Sequence, residues 1–269
     1  LSEVLITVQN PSGRTIKYND KDHKYFDEDG NLYNSTTRVI QSLFPEFPED
    51  MMAYVVARKR IMKEHGYTDK KDAPVPLCME MKQKVLDEWE EIRTLSCDLG
   101  TQVHRYAECF LKEIKFDMEF TGQRQEKMKK VLDRFIPNLL KQYKFIESEK
   151  IIFSPKILLA GTVDLIMQNR TNNKLCIFDW KSNKAIKTQD SYGKKGLLFL
   201  NHLEHCNYYH YAMQLNVYQW LLNKEGYGDF TASELGLFHM NTRKVQGYQL
   251  PILNYETEQL INYTKNLKG

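Results

Sequence analysis

What this 269-residue chain lacks narrows it first. No apolar run approaches the roughly 20 residues that a membrane-spanning helix needs, so a membrane protein is not expected. The five cysteines (Cys78, Cys97, Cys109, Cys176, Cys206) are odd in number and scattered, with no C-x-x-C pair. That spacing offers no disulfide or iron-sulfur framework and points to free thiols in a reducing, intracellular compartment. The run "YGKKGLL" lacks the G-x-x-x-x-G-K-[ST] spacing of a phosphate-binding loop, so no ATP-driven motor is expected. "NHLEHCNYYH" offers His202, His205, Cys206 and His210, yet at no common structural-zinc spacing, which favours packing or nucleic-acid contact. Neither end reads as a secretory signal. Because the chain starts at Leu1, a targeting segment could precede it, which leaves cytoplasm, nucleus and mitochondrial matrix open. Internal repeats and low-complexity tracts are missing too.

What is present is the composition of an ordinary globular protein, 42% hydrophobic and 27% charged, with a net charge of only +3. That length can bury one main core, with or without an elaborated cap. Charge is nevertheless uneven. Residues 123–150 carry eight Lys/Arg against four Asp/Glu, and "ARKR" (57–60) and Lys181, Lys184, Lys187, Lys194 and Lys195 add further basic segments. A solvated helix face explains most such runs, and phosphate contact is the better reading where nearby chemistry calls for it.

Residues 15–37, "TIKYNDKDHKYFDEDGNLYNSTT", alternate short Tyr/Phe-bearing runs with Asn-Asp and Asp-Gly turn signals and predict a small β-meander. Ser35 or Thr36 offers an N-cap for a helix through Leu43, and Pro45 and Pro48 interrupt it before a basic helix near 50–65. Helical spacing returns over 78–115, with one break near 96–100, and over 122–143. The period then changes. "KFIESEKIIFSP", "LLAGTVDLIMQN" and "KLCIFDWKS" predict three adjacent antiparallel strands. A basic loop at 188–200, an aromatic-rich helix ending near Lys224, strands near 235–240 and 248–252 and a last helix from Tyr255 follow. The expected fold class is α/β (α+β), a mixed central sheet flanked by helices. Residues 1–98 would form an N-terminal meander and helical cap, and 99–269 the core, packed as one unit.

Asp164 and Asp179 lie fifteen residues apart on successive strands joined by a turn at "NRTNN", so a hairpin can set them side by side. Two carboxylates at close range cannot both stay ionised unless a cation sits between them, and oxygen-rich sites suit Mg²⁺ or Mn²⁺. Lys181, two residues beyond Asp179, shares its side of the strand. An Asp-x-Lys triplet alone is common on hairpins that face water. Here each aspartate follows an apolar stretch, "TVD" and "CIFD", that belongs in an interior, and Ala160-Gly161 permits close backbone approach beside Asp164.

"GTVDLI…CIFDWKS" resembles the core of the PD-(D/E)XK nuclease superfamily, a restriction-endonuclease-like fold, with Asp164 as first acid and Asp179-Trp180-Lys181 as the D-x-K element. "LGTQVHRYAE" (99–108) is similar to the G-x-x-x-H-x-x-x-E helix of the RecB-like branch, and "QLNVY" (214–218) to its Q-x-x-x-Y helix. All three occur in that order. "NLYNSTTRVI" is similar to the segment that precedes the core in phage, viral and mitochondrial genome-maintenance exonucleases. His104 and Glu108 are four apart on one helix face, so a neutral imidazole could bind metal while the carboxylate orients it or a basic partner.

The resemblance implies metal-assisted phosphodiester hydrolysis. His104, Asp164, Asp179 and the Trp180 carbonyl would hold one or two Mg²⁺ or Mn²⁺ ions, and Lys181 would orient or help deprotonate the attacking water. Glu108, Gln214 and Tyr218 would position substrate or buttress the site. Glu149, on the preceding strand, is either an outer-shell acid or a solvent-facing residue. Arg58, Lys184, Lys187, Lys194, Lys195 and Tyr192 would contact nucleic acid, and Tyr54, Tyr143, Tyr208, Tyr209 and Tyr211 are further candidates for base stacking. The implied protein is an exonuclease on single-stranded or end-bearing DNA, in replication, repair or recombination, without iron-sulfur cluster or ATP. The alternatives are an endonuclease, on DNA or on RNA of the cap-snatching type, and a nucleic-acid-binding module that has lost catalysis.

Overall fold

Short aromatic-bearing runs punctuated by Asn and Asp turns set the first strands of the computed structural model, which describes residues 5–19, 22, 24–120 and 122–267. Strands β1 (Leu5–Gln9), β2 (Thr15–Asn19), β3 (Lys24–Asp27) and β4 (Leu32–Ser35) pair antiparallel in chain order. The Asn10 side chain builds the first turn, accepting the Ser12 and Arg14 N–H groups at 3.1 and 2.9 Å. Asp27 holds Asn31 N–H at 2.8 Å across the Asp29-Gly30 turn. The expected Asn19-Asp20 turn falls partly outside the described residues. β1 lengthens the meander by a strand that its mostly exposed side chains did not announce.

Three longer strands follow the helices: β5 (Tyr143–Ser154), β6 (Leu159–Asn169) and β7 (Leu175–Lys181), with β5–β6 and β6–β7 both antiparallel. The sheet continues in parallel to β8 (Glu234–Met240) and then antiparallel to β9 (Val245–Gln249). β4 joins the same sheet, pairing in parallel with the start of β6 through Asn34–Leu159 and Ser35–Ala160. The meander therefore continues the core sheet, and Thr36 Oγ1 fixes the junction by donating to Ala160 O at 3.0 Å.

Helices cover both faces of this mixed sheet. On one face α1 (Thr36–Ser42), α5 (Asn207–Lys224) and α6 (Asn254–Asn266) enclose a core that includes Val39, Ile40, Ile177, Leu215, Leu221, Leu235, Leu237 and Leu260. On the other, α4 (Gln123–Gln142) seats Phe135 edge-on against Trp180 and Phe238. The alternation of strand side chains produces this division, since Ile177 and Leu237 point one way and Trp180 and Phe238 the other.

The chain divides into two compact units, residues up to 45 together with 102 onward, and residues 46–101. The second contains α2 (Glu49–His65) and the first part of α3 (Val75–Leu111). Ala53, Ala57 and Val85 form its small core. Arg60 clamps Glu88 with two bonds of 2.7 and 2.8 Å, Arg93 pairs with Glu49, and Lys82 with Asp50. α2 ends on Gly66 at φ +72°, a left-handed cap that glycine adopts without steric cost.

Two expected boundaries differ. α3 runs unbroken through 96–100: the Ser96 hydroxyl bonds back to Ile92 O at 2.7 Å inside the helix, and Gly100 lowers helix propensity without ending the run. β9 starts at Val245, three residues before the expected Tyr248. Asn241 closes the preceding turn on the Arg243 and Lys244 N–H groups, and Pro251, which has no N–H to donate, cannot extend the ladder.

Gly161 is the tightest backbone approach beside the acidic centre, because a Cβ there would lie 2.4 Å from Tyr218 Cε1. Gly161→Ala should cost about 1–3 kcal/mol by overpacking, read as a lower midpoint in chemical denaturation. An unchanged midpoint would mean that the Tyr218 ring does not rest on β6.

Candidate active site

β5 occupies one edge of β6, while β4 and β7 take the start and the end of the other edge. That leaves a notch along residues 161–164. The β6–β7 register runs out at Leu165–Phe178, and one step further Asp164 stands opposite Asp179. On the other edge β5 pairs Ser148 with Leu165 and Lys150 with Val163, which sets Glu149 opposite Asp164. Three carboxylates thus stand abreast on three strands. Glu149 itself adopts φ +52°, a left-handed conformation that costs a non-glycine residue about 1–2 kcal/mol. At the notch the ladder opens, and the Trp180 N–H donates to Asp164 Oδ2 at 3.0 Å.

His104 reaches this row from α3. Its Nε2 lies 2.9 Å from Trp180 O, and since a carbonyl can only accept, Nε2 carries the proton. Nδ1 then presents a lone pair to Asp164 Oδ2 at 3.4 Å and Glu149 Oε1 at 3.9 Å. Burial, with the Lys181 charge, pushes the imidazole down to about 4, so it is neutral at ordinary pH. Burial and then repulsion by Asp164 push Glu149 up to about 9 and Asp179 up to about 7, and burial raises Asp164. A lone pair facing carboxylate oxygens without an intervening donor is an arrangement that a cation or protons must neutralise. The three ligand atoms of His104, Glu149 and Asp164 lie within 4.8 Å of one another, and Asp179 Oδ1, fully buried, accepts no hydrogen bond among the described residues. One imidazole nitrogen with several carboxylate oxygens fits a divalent cation.

Lys181 forms an ion pair with Asp179 and lays its Nζ over the Tyr211 ring, 4.6 Å from the centroid. Burial alone would lower its pKa, but Asp179 and Asp164 outweigh burial and raise it, so the ammonium is charged. Tyr211, Gln214 and Tyr218 recur at three and four residues along α5 and share a face. Gln214 Nε2 donates to Tyr218 Oη at 3.0 Å, and Tyr218 presses on Gly161. Glu108, one turn after His104, takes Arg105 at 2.8 Å and Lys112 at 2.7 Å, so both its oxygens are engaged by cations, and its charge adds to the repulsion felt by Glu149. Lys112 also reaches Ser148 O at 3.4 Å, beside Glu149.

The residues expected on nucleic acid lie on other segments of the chain. Lys184, Lys187 and Lys194 sit on the segment after β7, whose backbone is held by Asn207 and Asp190. Tyr192 on that segment is 80% exposed, and Lys195 is paired with Glu204 at 2.8 Å. Arg58 lies on α2 over the Tyr54 ring. His202 pairs with Glu256, while His205 stacks on Phe44 and His210 lies tilted against it. Two contributors were underweighted from sequence. Glu149 precedes Asp164 by the same fifteen residues that separate Asp164 from Asp179, a repeat of strand spacing that could have flagged it. Tyr211 stands one helical turn before Gln214, and from sequence it offers only a stacking surface.

A family model of the PD-(D/E)XK nuclease superfamily matches residues 80–266. No curated protein matches. Among solved structures, a candidate exonuclease from Eubacterium rectale aligns over 64% of this chain and 64% of its own, with 11% identity and a TM-score of 0.37. The protein SSO0001 aligns over 63% and 75%, with 19% identity and a TM-score of 0.27. This chain therefore spans just under two thirds of the length of the Eubacterium rectale protein.

Protonation of the acidic row makes stability depend on pH. Glu149 and Asp179 titrate near 9 and 7 in the fold against about 4 when unfolded. Their stabilising contribution is complete below about pH 4 and is lost as pH rises through those folded values. In EDTA the melting temperature should therefore fall between about pH 5 and 9, and Glu149→Gln should flatten the decline. Added Mn²⁺ should raise the melting temperature most at the alkaline end. A decline of equal slope in wild type and variant would remove Glu149 from the row.

Proposed function

Because the chain belongs to the PD-(D/E)XK nuclease superfamily, we propose that it is a divalent-metal-dependent DNA exonuclease of RecB-like type, acting on single-stranded or end-bearing DNA. The observation that carries this reading is the meeting of His104, Glu149, Asp164 and Asp179 at one notch, with the Lys181 ammonium beside them. The branch is supported by where its helical elements lie: His104 on α3 faces the acids, and Gln214 and Tyr218 on α5 buttress β6 beside Asp164.

His104, Glu149, Asp164 and Asp179 would hold the cation. When bound, it supplies positive charge to a phosphate under attack and makes water a stronger nucleophile at neutral pH. The protein's own groups do the rest. Lys181, charged and pinned between Asp179 and Tyr211, points a donor at the attacking water or at a non-bridging phosphate oxygen, which favours orienting over deprotonating. As the water oxygen bonds to phosphorus, one bridging P–O bond breaks, the attacking water gives up a proton to bulk solvent, and the leaving oxygen takes one from solvent. His104 keeps its Nε2–H on Trp180 O throughout, so its lone pair stays aimed at the acids. The exposed Lys184 and Lys187 and the Tyr192 ring offer the strand a charged, stackable path beyond β7.

End-labelled linear single-stranded DNA, digested beside closed circular single-stranded DNA with Mg²⁺, Mn²⁺ or EDTA, tests the reading. Linear DNA alone should be lost, only with metal, and Lys181→Ala should slow cleavage by about 10²–10³-fold. Cutting of the circle would make the enzyme an endonuclease, and no cutting of DNA in any form would overturn the assignment.

Tyr211 gives a finer check. Tyr211→Phe keeps the ring face and should retain kcat, whereas Tyr211→Leu should lower kcat by about 3- to 30-fold with little change in KM, the worth of a buried cation–π contact. Equal losses in both variants would show that the hydroxyl, not the ring, matters.

A further inference from the structure

The outward face of α4 carries a run of cations that the site does not use. On a helix of 3.6 residues per turn, Lys127, Lys130, Arg134 and Lys141 fall within roughly 60° of one another and roughly opposite the buried Met128, Leu132, Ile136 and Leu139. All four are exposed, and among the described residues none forms an ion pair. Arg134 and Lys141 make only neutral contacts, to Lys130 O and to Asn138. Ion pairs form at some cations elsewhere, as in Arg60–Glu88, Lys84–Glu80, Arg105–Asp117, Lys112–Glu108, Lys150–Glu147 and Lys195–Glu204, so what marks the α4 cations is their alignment on one face. The two carboxylates of α4, Glu126 and Asp133, lie to one flank of the stripe, and Asp133 is already taken by Lys129 and the Tyr106 hydroxyl.

We infer that this stripe is a second nucleic-acid surface, which grips backbone phosphates of the substrate outside the catalytic notch. The inference rests on the nuclease reading above. From Lys127 to Lys141 the helix rises about 21 Å, the axial length of roughly six phosphates along one strand of a duplex. Four unpaired cations in line match a linear polyanion. Apart from the small ring of Pro137, the face carries no apolar side chain with which to enter a bilayer, which separates it from an amphipathic membrane helix. Phe135 on the inner face of α4 packs on Trp180, whose own neighbours on β7 are Asp179 and Lys181. The grip is thus built on the same strand as the chemistry but looks away from it.

The test uses the full chain and the variant Lys127→Gln/Lys130→Gln/Arg134→Gln/Lys141→Gln. Binding of a labelled duplex with a single-stranded tail is measured in EDTA across a KCl series, alongside thermal melting and Mn²⁺-dependent cleavage of bis-p-nitrophenyl phosphate, which is too small to reach the stripe. The variant should melt normally and cleave the small diester as wild type does, while its slope of log K against log salt becomes shallower by about 3 to 4 on duplex, or about 3 on a single strand. An unchanged slope would overturn the inference and leave a solvated helix face. So would an unchanged slope with lost binding to phosphatidylserine vesicles, which would assign the stripe to membranes. If the slope changes as expected but wild type cleaves neither DNA nor the small diester, the surface stands and the nuclease reading falls.

Discussion

Repulsion among Glu149, Asp164 and Asp179 is the constraint to which the rest of the centre answers. Direct cross-strand neighbours stand about 5 Å apart, so each ionised pair costs about 3 kcal/mol at an effective dielectric near 20. One ammonium, Lys181, lies among them. The fold relieves the excess by holding protons, as the raised pKa values of all three acids record. Such a site is poised rather than satisfied. A divalent cation would replace the protons at little rearrangement, because the candidate ligands are already gathered and the repulsion was set by folding.

Holding like charges together demands a stiff frame, and Trp180 shows how it is made. Its side chain packs between Phe135 of α4 and Phe238 of β8 on one face. Its peptide groups serve the other side, the N–H donating to Asp164 and the carbonyl accepting from His104. A single buried residue therefore fixes an acid on β6 and a base on α3 from β7. Tyr218 plays the matching part from α5, pressing on Gly161 where the β6 edge is open. Packing supplies the rigidity that the charges oppose, which places the centre in the middle of the sheet rather than on a loop.

The strands that carry Asp164 and Asp179 were legible because their apolar runs are long and their turn is strongly marked, and the fifteen-residue separation then fixed which side chains could meet. Glu149 was harder to read. "ESEK" looks like a solvated edge, and only the β5–β6 register, with the left-handed kink at Glu149 itself, turns that polar run toward Asp164. The parallel pairing of β4 with β6 involves two residue pairs, a long-range contact with no local signature. Tyr211 reads from sequence as one more aromatic on an aromatic helix, and its value comes from a lysine thirty residues earlier.

Charge is distributed so that chemistry and grip draw on different residues. Within the notch the protons held on the acids leave little net charge beside Lys181, so the metal-free centre would contribute little to affinity for phosphate until a cation is present. The cations that could draw in a polyanion lie elsewhere in this unit, on the segment after β7 and along the outer face of α4. A net charge of +3 conceals this separation. A nuclease organised this way would bind nucleic acid in a strongly salt-dependent manner whether or not metal is bound. Its turnover, by contrast, would follow the cation and the acidic row, because among the described residues no ion pair joins the two sets of charges.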